Sequence, residues 1–162
     1  DLSFLKEIGF KSIVSYHVPT FTGEMNNLNI PSQSEIVRIQ EVCWNKLKNK
    51  STLPTYPVVT MGWDSEPWGF AYNKGQWAIT GTNYEALCEK AKSFAEYLPE
   101  ENRIVMLDNW NEFGEGHYIS PTQKYGFTHL DAIRKTFSSA GEHIDIVPDD
   151  LNLGPYEYNN QK

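Results

Sequence analysis

Short apolar runs of strand length alternate with stretches of helical periodicity, and this alternation most constrains the fold of the chain. The runs rich in β-branched residues lie at 11–16, 57–61, 103–108 and 143–147. The two middle runs are almost continuously apolar, which is typical of strands covered on both faces, as in a parallel sheet flanked by helices. We therefore predict an α/β fold in which parallel strands alternate with helices.

The helices are predicted from periodicity and from capping signals. Ser32 and Glu35 have capping-box spacing before the first amphipathic stretch, and Thr82 and Glu85 have the same spacing before the second. A third stripe predicts a helix over residues 127–138. Each predicted helix follows a predicted strand, so the pattern consists of consecutive βα units.

Composition limits the class of protein and its partners. With 162 residues, 40% of them apolar, the chain suits one packed domain spanning 1–162. A net charge of −7 argues against a nucleic-acid partner, which needs clustered Lys and Arg. No apolar run is long enough to span a bilayer. Cys43 and Cys88 lack metal or redox spacing, so we predict two buried thiols.

The long loops indicate where function lies. Those that lead from strand to helix, at 16–31, 62–81 and 109–126, are rich in Trp, Tyr, Gly and His. They begin at the carboxyl ends of strands, where parallel α/β proteins collect their binding and catalytic groups. A barrel and a doubly wound sheet both fit this pattern. A (β/α)8 TIM barrel usually needs about 250 residues, so four strands would form only half of one.

Two carboxylates in the third loop, "NWNEFGEGHY", are the candidate catalytic groups. Glu112 and Glu115 stand between Trp110, Phe113 and Tyr118, which are costly to place around a loop unless they line a site. Cleavage of a glycosidic bond needs one carboxyl group as acid and another as base or nucleophile. The alternative is that both glutamates simply face water. Their spacing alone leaves their separation open.

A metal site is a second alternative for the same loop. Asp108, Glu112, Glu115 and His117 offer oxygen and nitrogen donors close in sequence. Neither the HExxH spacing nor an EF-hand pattern is present. We therefore predict no metal and no other cofactor, and we interpret His117 as a hydrogen-bonding wall residue.

The other two loops supply further candidates for binding a sugar. An indole can cover the apolar face of a sugar and a carboxylate can accept bonds from its hydroxyls. The predicted substrate-binding residues, including one that enters only through the resemblance below, are Tyr16, His17, Trp63, Asp64, Trp68, Trp110, Asn111, His117 and Tyr118.

Three ordered motifs resemble a known family. The motif "WNEFGEGHYISPTQKYGFTHLDAIRKTF" is similar to the catalytic loop and following helix of glycoside hydrolase family 99 and its 99-like relatives. These include endo-α-mannosidases, α-mannanases and relatives from polysaccharide and O-antigen gene clusters. "GFKSIVSYH" and "YPVVTMGWDSEPW" resemble the upstream strands, and "HIDIVPDDLNLGPYEY" resembles the end of those relatives.

The resemblance implies a mechanism and an architecture. It implies the C-terminal half of a TIM barrel that acts on an α-linked, mannan-like oligosaccharide or polysaccharide without a metal. Glu112 would be the base that activates the 2-hydroxyl of the substrate, Glu115 the general acid and then base, and Asn111 a substrate contact. Family 99 commonly has Trp where this chain has Phe113.

Several expectations accompany this prediction. Half a barrel exposes strand edges, so we expect the chain to be inactive alone, with the missing half or a second copy as its partner. The alternatives to a hydrolase are a glycosyltransferase or glycan-modifying enzyme on the same scaffold, and a non-catalytic carbohydrate-binding protein. A role in degrading polysaccharide would favour a secreted or periplasmic location.

Overall fold

The computed structural model describes residues 2–17, 30–64 and 77–139. Its helices are α1 (Phe4–Glu7), α2 (Gln33–Lys48), α3 (Gly81–Ala95) and α4 (Thr128–Phe137). Its strands are β1 (Val58–Val59), β2 (Gly62–Trp63), β3 (Trp77–Ala78), β4 (Met106–Leu107), β5 (Asn111–Glu112) and β6 (His117–Tyr118). Among the described helices, none is both long and apolar enough to cross a membrane.

The central strands are parallel, and their order in the sheet is their order along the chain. β1 pairs in parallel with β4, with Val58 opposite Met106. A parallel bridge joins Ile13 to Thr55, just before β1. Three successive segments of the chain, at 13, 55–59 and 106–107, therefore lie side by side in the same direction. Two antiparallel pairs, β2 with β3 and β5 with β6, stand apart from this arrangement.

The core lies between the central strands and the helices. Helix α3 packs on α4 and α2 and contacts β1. The apolar stripe of α3 is fully covered, as Tyr84, Leu87, Cys88 and Ala91 are each 0% exposed. Burial raises the pKa of Cys88 to about 12, so this thiol stays protonated at neutral pH. Cys43 is buried too, which confirms the prediction of two covered thiols.

A buried glutamine ties α2 to the end of β1. Gln40 donates from Nε2 to the carbonyl oxygen of Thr60 at 2.7 Å and accepts from the Thr60 amide at 3.0 Å. Trp44, one turn later, donates from Nε1 to the Val58 carbonyl oxygen at 3.0 Å. Polar groups of α2 thus satisfy buried backbone groups beside β1 that would otherwise have no partner.

The helix predictions agree with the structure more closely than the strand predictions. Ser32 caps α2 by accepting from the amide of Glu35, as its spacing predicts. The capping box assigned to Thr82 is wrong, because α3 already begins at Gly81 and no side chain caps it. α4 agrees within one residue of each predicted end.

The predicted strands are longer than those observed. The run at 11–16 forms only the bridge at Ile13, and the runs at 57–61 and 103–108 contribute two paired residues each. The run at 143–147 lies outside the described residues. β-Branched composition predicts which segments are extended, but the paired length depends on how much of the neighbouring strand lies alongside.

Candidate active site

A β-hairpin carries the two glutamates. β5 contains Glu112, and Asn111 and Glu112 pair with Tyr118 and His117 of β6. The turn between the strands is a single 3-10 turn, Phe113–Glu115, which closes with Gly116 in the left-handed conformation at φ 57°. Glu112 and Glu115 therefore stand at the two ends of one turn. The sequence predicts a loop here, and the hairpin gives that loop a fixed backbone.

Glycine at position 116 permits a close contact with the end of β2. A Cβ atom at Gly116 would lie 2.3 Å from the Cβ of Asp64. The amide of Asp64 donates to the carbonyl oxygen of Glu115 at 2.6 Å. The hairpin is thus held directly against the end of β2, and no side chain larger than hydrogen fits at position 116.

The two glutamates have different environments. Glu112 is exposed on the hairpin. The side chain of Glu115 is only 15% exposed, and its Oε2 accepts a hydrogen bond from the Tyr16 hydroxyl at 3.2 Å. One carboxylate is therefore free to meet a ligand and the other is held at the edge of the protein interior.

Beneath Glu115 lies a buried pair formed by Asp108 and His117. Nε2 of His117 hydrogen-bonds to Oδ2 of Asp108, and the two side chains are 0% and 1% exposed. Burial raises the pKa of Asp108, and the hydrogen bond from His117 acts in the opposite direction. Nδ1 of His117 lies 3.8 Å from Oε2 of Glu115. The pair is thus close enough to influence the glutamate electrostatically.

His17 lies beside this pair in an aromatic setting. Its ring centroid is 4.7 Å from that of Trp63, 5.8 Å from that of Trp77 and 5.1 Å from that of His117. It is 3% exposed, and within the part of the chain that the structure describes neither of its ring nitrogens has a hydrogen-bond partner. Burial, together with the nearby His117, lowers the pKa of His17 from 6.5 to about 3, so the ring is neutral at physiological pH.

Among the described residues, donors suited to a metal gather at His17, Asp108 and His117. Their ligand atoms lie within 4.8 Å of one another. This group shares Asp108 and His117 with the set considered from the sequence, and contains neither glutamate. Asp108 and His117 are hydrogen-bonded to each other through Oδ2 and Nε2. We assign the pair of Asp108 and His117 to hydrogen bonding, and His17 packs beside it through ring contacts.

The predicted aromatic walls fall into two groups. Trp110 and Phe113 are 54% and 53% exposed beside the glutamates, as a surface for stacking a sugar requires. Tyr118 instead lines a cavity of about 230 Å³ together with Asp64, Trp77 and Lys124. Trp63 is half-buried and packs against the core.

The predicted site residues are brought together in part. Tyr16, Glu115 and His117 are in contact, with His17 packed against His117, and Asn111 and Glu112 are exposed on the same hairpin. Trp68 lies outside the described residues. Sequence reasoning missed Asn109, whose amide joins Tyr16 to His117 at 2.9 Å and 2.7 Å. Its position directly after a strand was the available signal.

The neutral His17 makes stability depend on pH. In the unfolded chain this ring takes up a proton as the pH falls through about 6.5, whereas in the folded chain it does so only near pH 3. The contribution of the neutral His17 ring to the free energy of unfolding is therefore complete above pH 6.5. It falls by about 1.4 kcal/mol per pH unit below that, or by roughly 2 kcal/mol at pH 5.

Replacing His17 with phenylalanine tests this expectation. The variant keeps a ring against Trp63 and Trp77 but cannot take up a proton. Urea unfolding at pH 7 and pH 5 should show that His17→Phe loses about 2 kcal/mol less stability on acidification than the parent. Equal losses in both proteins would contradict the assignment of a buried, neutral imidazole.

Comparison with known proteins places this site in a family. Residues 7–133 match the family model described as Glycosyltransferase WbsX. The chain is 23% identical over 142 residues to the uncharacterized protein WxcX of Xanthomonas campestris pathovar campestris, a match that covers 83% of the chain and 20% of the relative. WxcX of strain B100 of this pathovar is 29% identical over 86 residues, or 52% of the chain and 12% of the relative.

The chain thus spans about a fifth or less of the length of these curated relatives. No solved structure matches it. The match to the family model includes β1 to β6, the hairpin with both glutamates and the first half of α4. Because that match covers well over half of the 162 residues, the chain belongs to the WbsX glycosyltransferase family.

Proposed function

We propose that this protein cleaves α-linked glycosidic bonds, with Glu112 and Glu115 as its catalytic carboxyl pair. The observation that carries the proposal is the difference between their environments. Glu112 is exposed, whereas Glu115 is 15% exposed and bonded to Tyr16. Glycosidic cleavage requires a carboxyl group that donates a proton and a second that accepts one, and two environments allow two roles.

The proposed reaction has two steps, as the resemblance to family 99 implies. Glu115 donates its proton to the leaving glycosidic oxygen while Glu112 takes the proton of the sugar 2-hydroxyl. The oxygen of that hydroxyl attacks the anomeric carbon and forms a 1,2-anhydro sugar. Glu115, now a carboxylate, then removes a proton from water, which opens the ring, and Glu112 returns its proton to the 2-oxygen.

We propose further that the described strands belong to the C-terminal half of a (β/α)8 barrel. The parallel neighbours at 13, 55–59 and 106–107 support this, as does the helix that follows each of them. The matched WxcX relatives are several times longer than this chain and have room for the other half. We expect that half to supply the rest of the substrate cleft.

Glycosyl transfer is the second candidate, and the description of the family favours it. In that case the same hairpin would bind a glycan acceptor, and a nucleotide sugar would supply the transferred residue. The two candidates differ in a simple requirement. Hydrolysis needs only a glycan and water, whereas transfer of this kind needs an activated donor.

The test is to incubate the full-length protein with α-mannan and other α-linked oligosaccharides, with and without a set of nucleotide sugars. Product masses should shorten without any nucleotide sugar if the first proposal holds. Products that lengthen only when a nucleotide sugar is added would replace it with the transferase. Retained binding with no product in either mixture would leave a carbohydrate-binding protein.

A further inference from the structure

We propose that Asp108 and His117 are positioning residues that hold Glu115 through Asn109 and Tyr16. This inference rests on the proposed function, since it gives Glu115 a task for which its orientation matters. It replaces the substrate contact predicted for His117 from the sequence, because the His117 ring is 0% exposed and lies beneath the hairpin.

The hydrogen bonds of this group have a consistent direction. The amide nitrogen of Asn109 has two protons, and it lies 2.9 Å from the Tyr16 hydroxyl and 2.7 Å from Nδ1 of His117. Because an amide nitrogen can only donate, Nδ1 of His117 accepts. The ring proton is then on Nε2, where it is donated to Asp108. Asp108 therefore fixes the tautomer of His117, and His117 fixes the amide of Asn109.

Tyr16 connects this network to Glu115, the proposed acid. With Asn109 donating to its oxygen, the Tyr16 hydroxyl has its own proton free to donate to Oε2 of Glu115. Every member thus has a defined donor or acceptor role, from the carboxylate of Asp108 to that of Glu115. Replacing one acceptor with a donor, for example the Asp108 carboxylate with an amide, would oblige the other members to rearrange.

Asp108 and His117 are too deeply buried to touch a substrate, which indicates a positioning role for them and not direct catalysis. The side chains of Asp108 and His117 are 1% and 0% exposed, whereas Tyr16 is 52% exposed and reaches the surface. An acid must lie within hydrogen-bond reach of the leaving oxygen, and a misplacement of about 1 Å can cost about 100-fold in rate. The network therefore acts on turnover through Glu115 and not through substrate affinity.

The test compares His117→Gln with His129→Gln in the full-length protein. His129 is the matched control, because it is 1% exposed and donates from Nε2 to the carbonyl oxygen of Ile79 at 3.0 Å, yet lies in α4. kcat and KM are measured on the glycan that the parent cleaves and on the α-glycosyl fluoride of the same sugar. Fluoride leaves without a proton from an acid, so the first step on this substrate, measured as the initial burst of fluoride ion, does not depend on the placement of Glu115. The second step, in which Glu115 is the base, is common to both substrates.

The expected result is a fall of about 100-fold in kcat on the glycan for His117→Gln, with KM little changed and a much smaller fall in the rate of the fluoride burst. His129→Gln should keep the kcat of the parent. Equal losses on both substrates, or a raised KM with unchanged kcat, would overturn the positioning role. So would glycan turnover in His117→Gln equal to that of the control.

Two further variants keep the test decisive. Tyr16→Phe alters an exposed residue, so it does not endanger folding, and it should lower glycan turnover more than the rate of the fluoride burst. Asp108→Asn should reproduce the effect of His117→Gln. Failure of the proposed function is recognised separately, because the parent would then cleave no glycan, or Glu115→Gln would retain the glycan turnover of the parent. If Glu115→Gln is inactive and the other variants behave as the parent does, only the positioning role fails.

Discussion

Replacing Glu115 with glutamine is expected to lower glycan turnover by about 10³-fold while leaving glycan affinity nearly unchanged. Glutamine keeps the size of the side chain and can still accept the bond from Tyr16 through its carbonyl oxygen. It cannot donate a proton to a leaving oxygen. kcat from product formation and Kd from calorimetry, both on the full-length protein, measure the two quantities independently.

The fluoride substrate distinguishes the roles of the two glutamates. Glu115→Gln should still form the first intermediate from an α-glycosyl fluoride, because fluoride needs no acid. Glu112→Gln should fail on both substrates, since it removes the base for the 2-hydroxyl. Glu101→Gln is the control, as Glu101 is exposed in a separate 3-10 turn. Glycan turnover in either site variant equal to that of Glu101→Gln would refute the paired mechanism.

Substituting alanine for Gly116 should displace the hairpin and remove most of the activity. The new Cβ would stand 2.3 Å from the Cβ of Asp64, where an ordinary contact needs at least 3.4 Å, so the hairpin must move by about 1 Å. The left-handed conformation adds about 1 to 2 kcal/mol of strain for a residue with a Cβ. A shift of this size beside the glutamates should lower turnover by about 100-fold.

Gly126→Ala is a matched control for that substitution. Gly126 has nearly the same conformation, φ 54°, but a Cβ there meets nothing within 4 Å. It should lose stability through strain alone, with turnover preserved. Urea unfolding and kcat on the two variants separate strain from contact. Equal activity in both would mean that the approach of the hairpin to Asp64 does not position the glutamates.

The helices were the part of the fold that sequence could predict. Capping signals and repeated apolar positions are local information, so the start of α2 and both ends of α4 follow from the sequence within one residue. The start of α3 was wrong because Thr82 only has the spacing of a cap, and the geometry at Thr80 and Gly81 decides where the helix begins.

The candidate site was predictable in composition but not in arrangement. The strand-end position of Tyr16 and the glutamate pair pointed to one cleft, and Tyr16 indeed contacts Glu115 across 99 positions of sequence. The sequence singled out Asp108 and His117 as donors close in sequence, but it did not predict that they form a buried, hydrogen-bonded pair. A histidine that faces inward and one that faces a ligand have the same local sequence pattern. Only the packing of β6 on β2 and the hydrogen bond of His117 to Asp108 tell them apart.

The side chain of Gln40 in α2 makes two hydrogen bonds with the backbone of Thr60, as a neighbouring strand would. The Thr60 amide is therefore shielded from deuterium exchange only while that helix is docked, whatever the state of the parallel pair on the other side of β1. Local opening of α2 would free the segment that leads directly to Gly62 and Asp64, against which the hairpin rests. We therefore expect the docking of α2 and the geometry of the turn at Gly116 to be lost together in local unfolding.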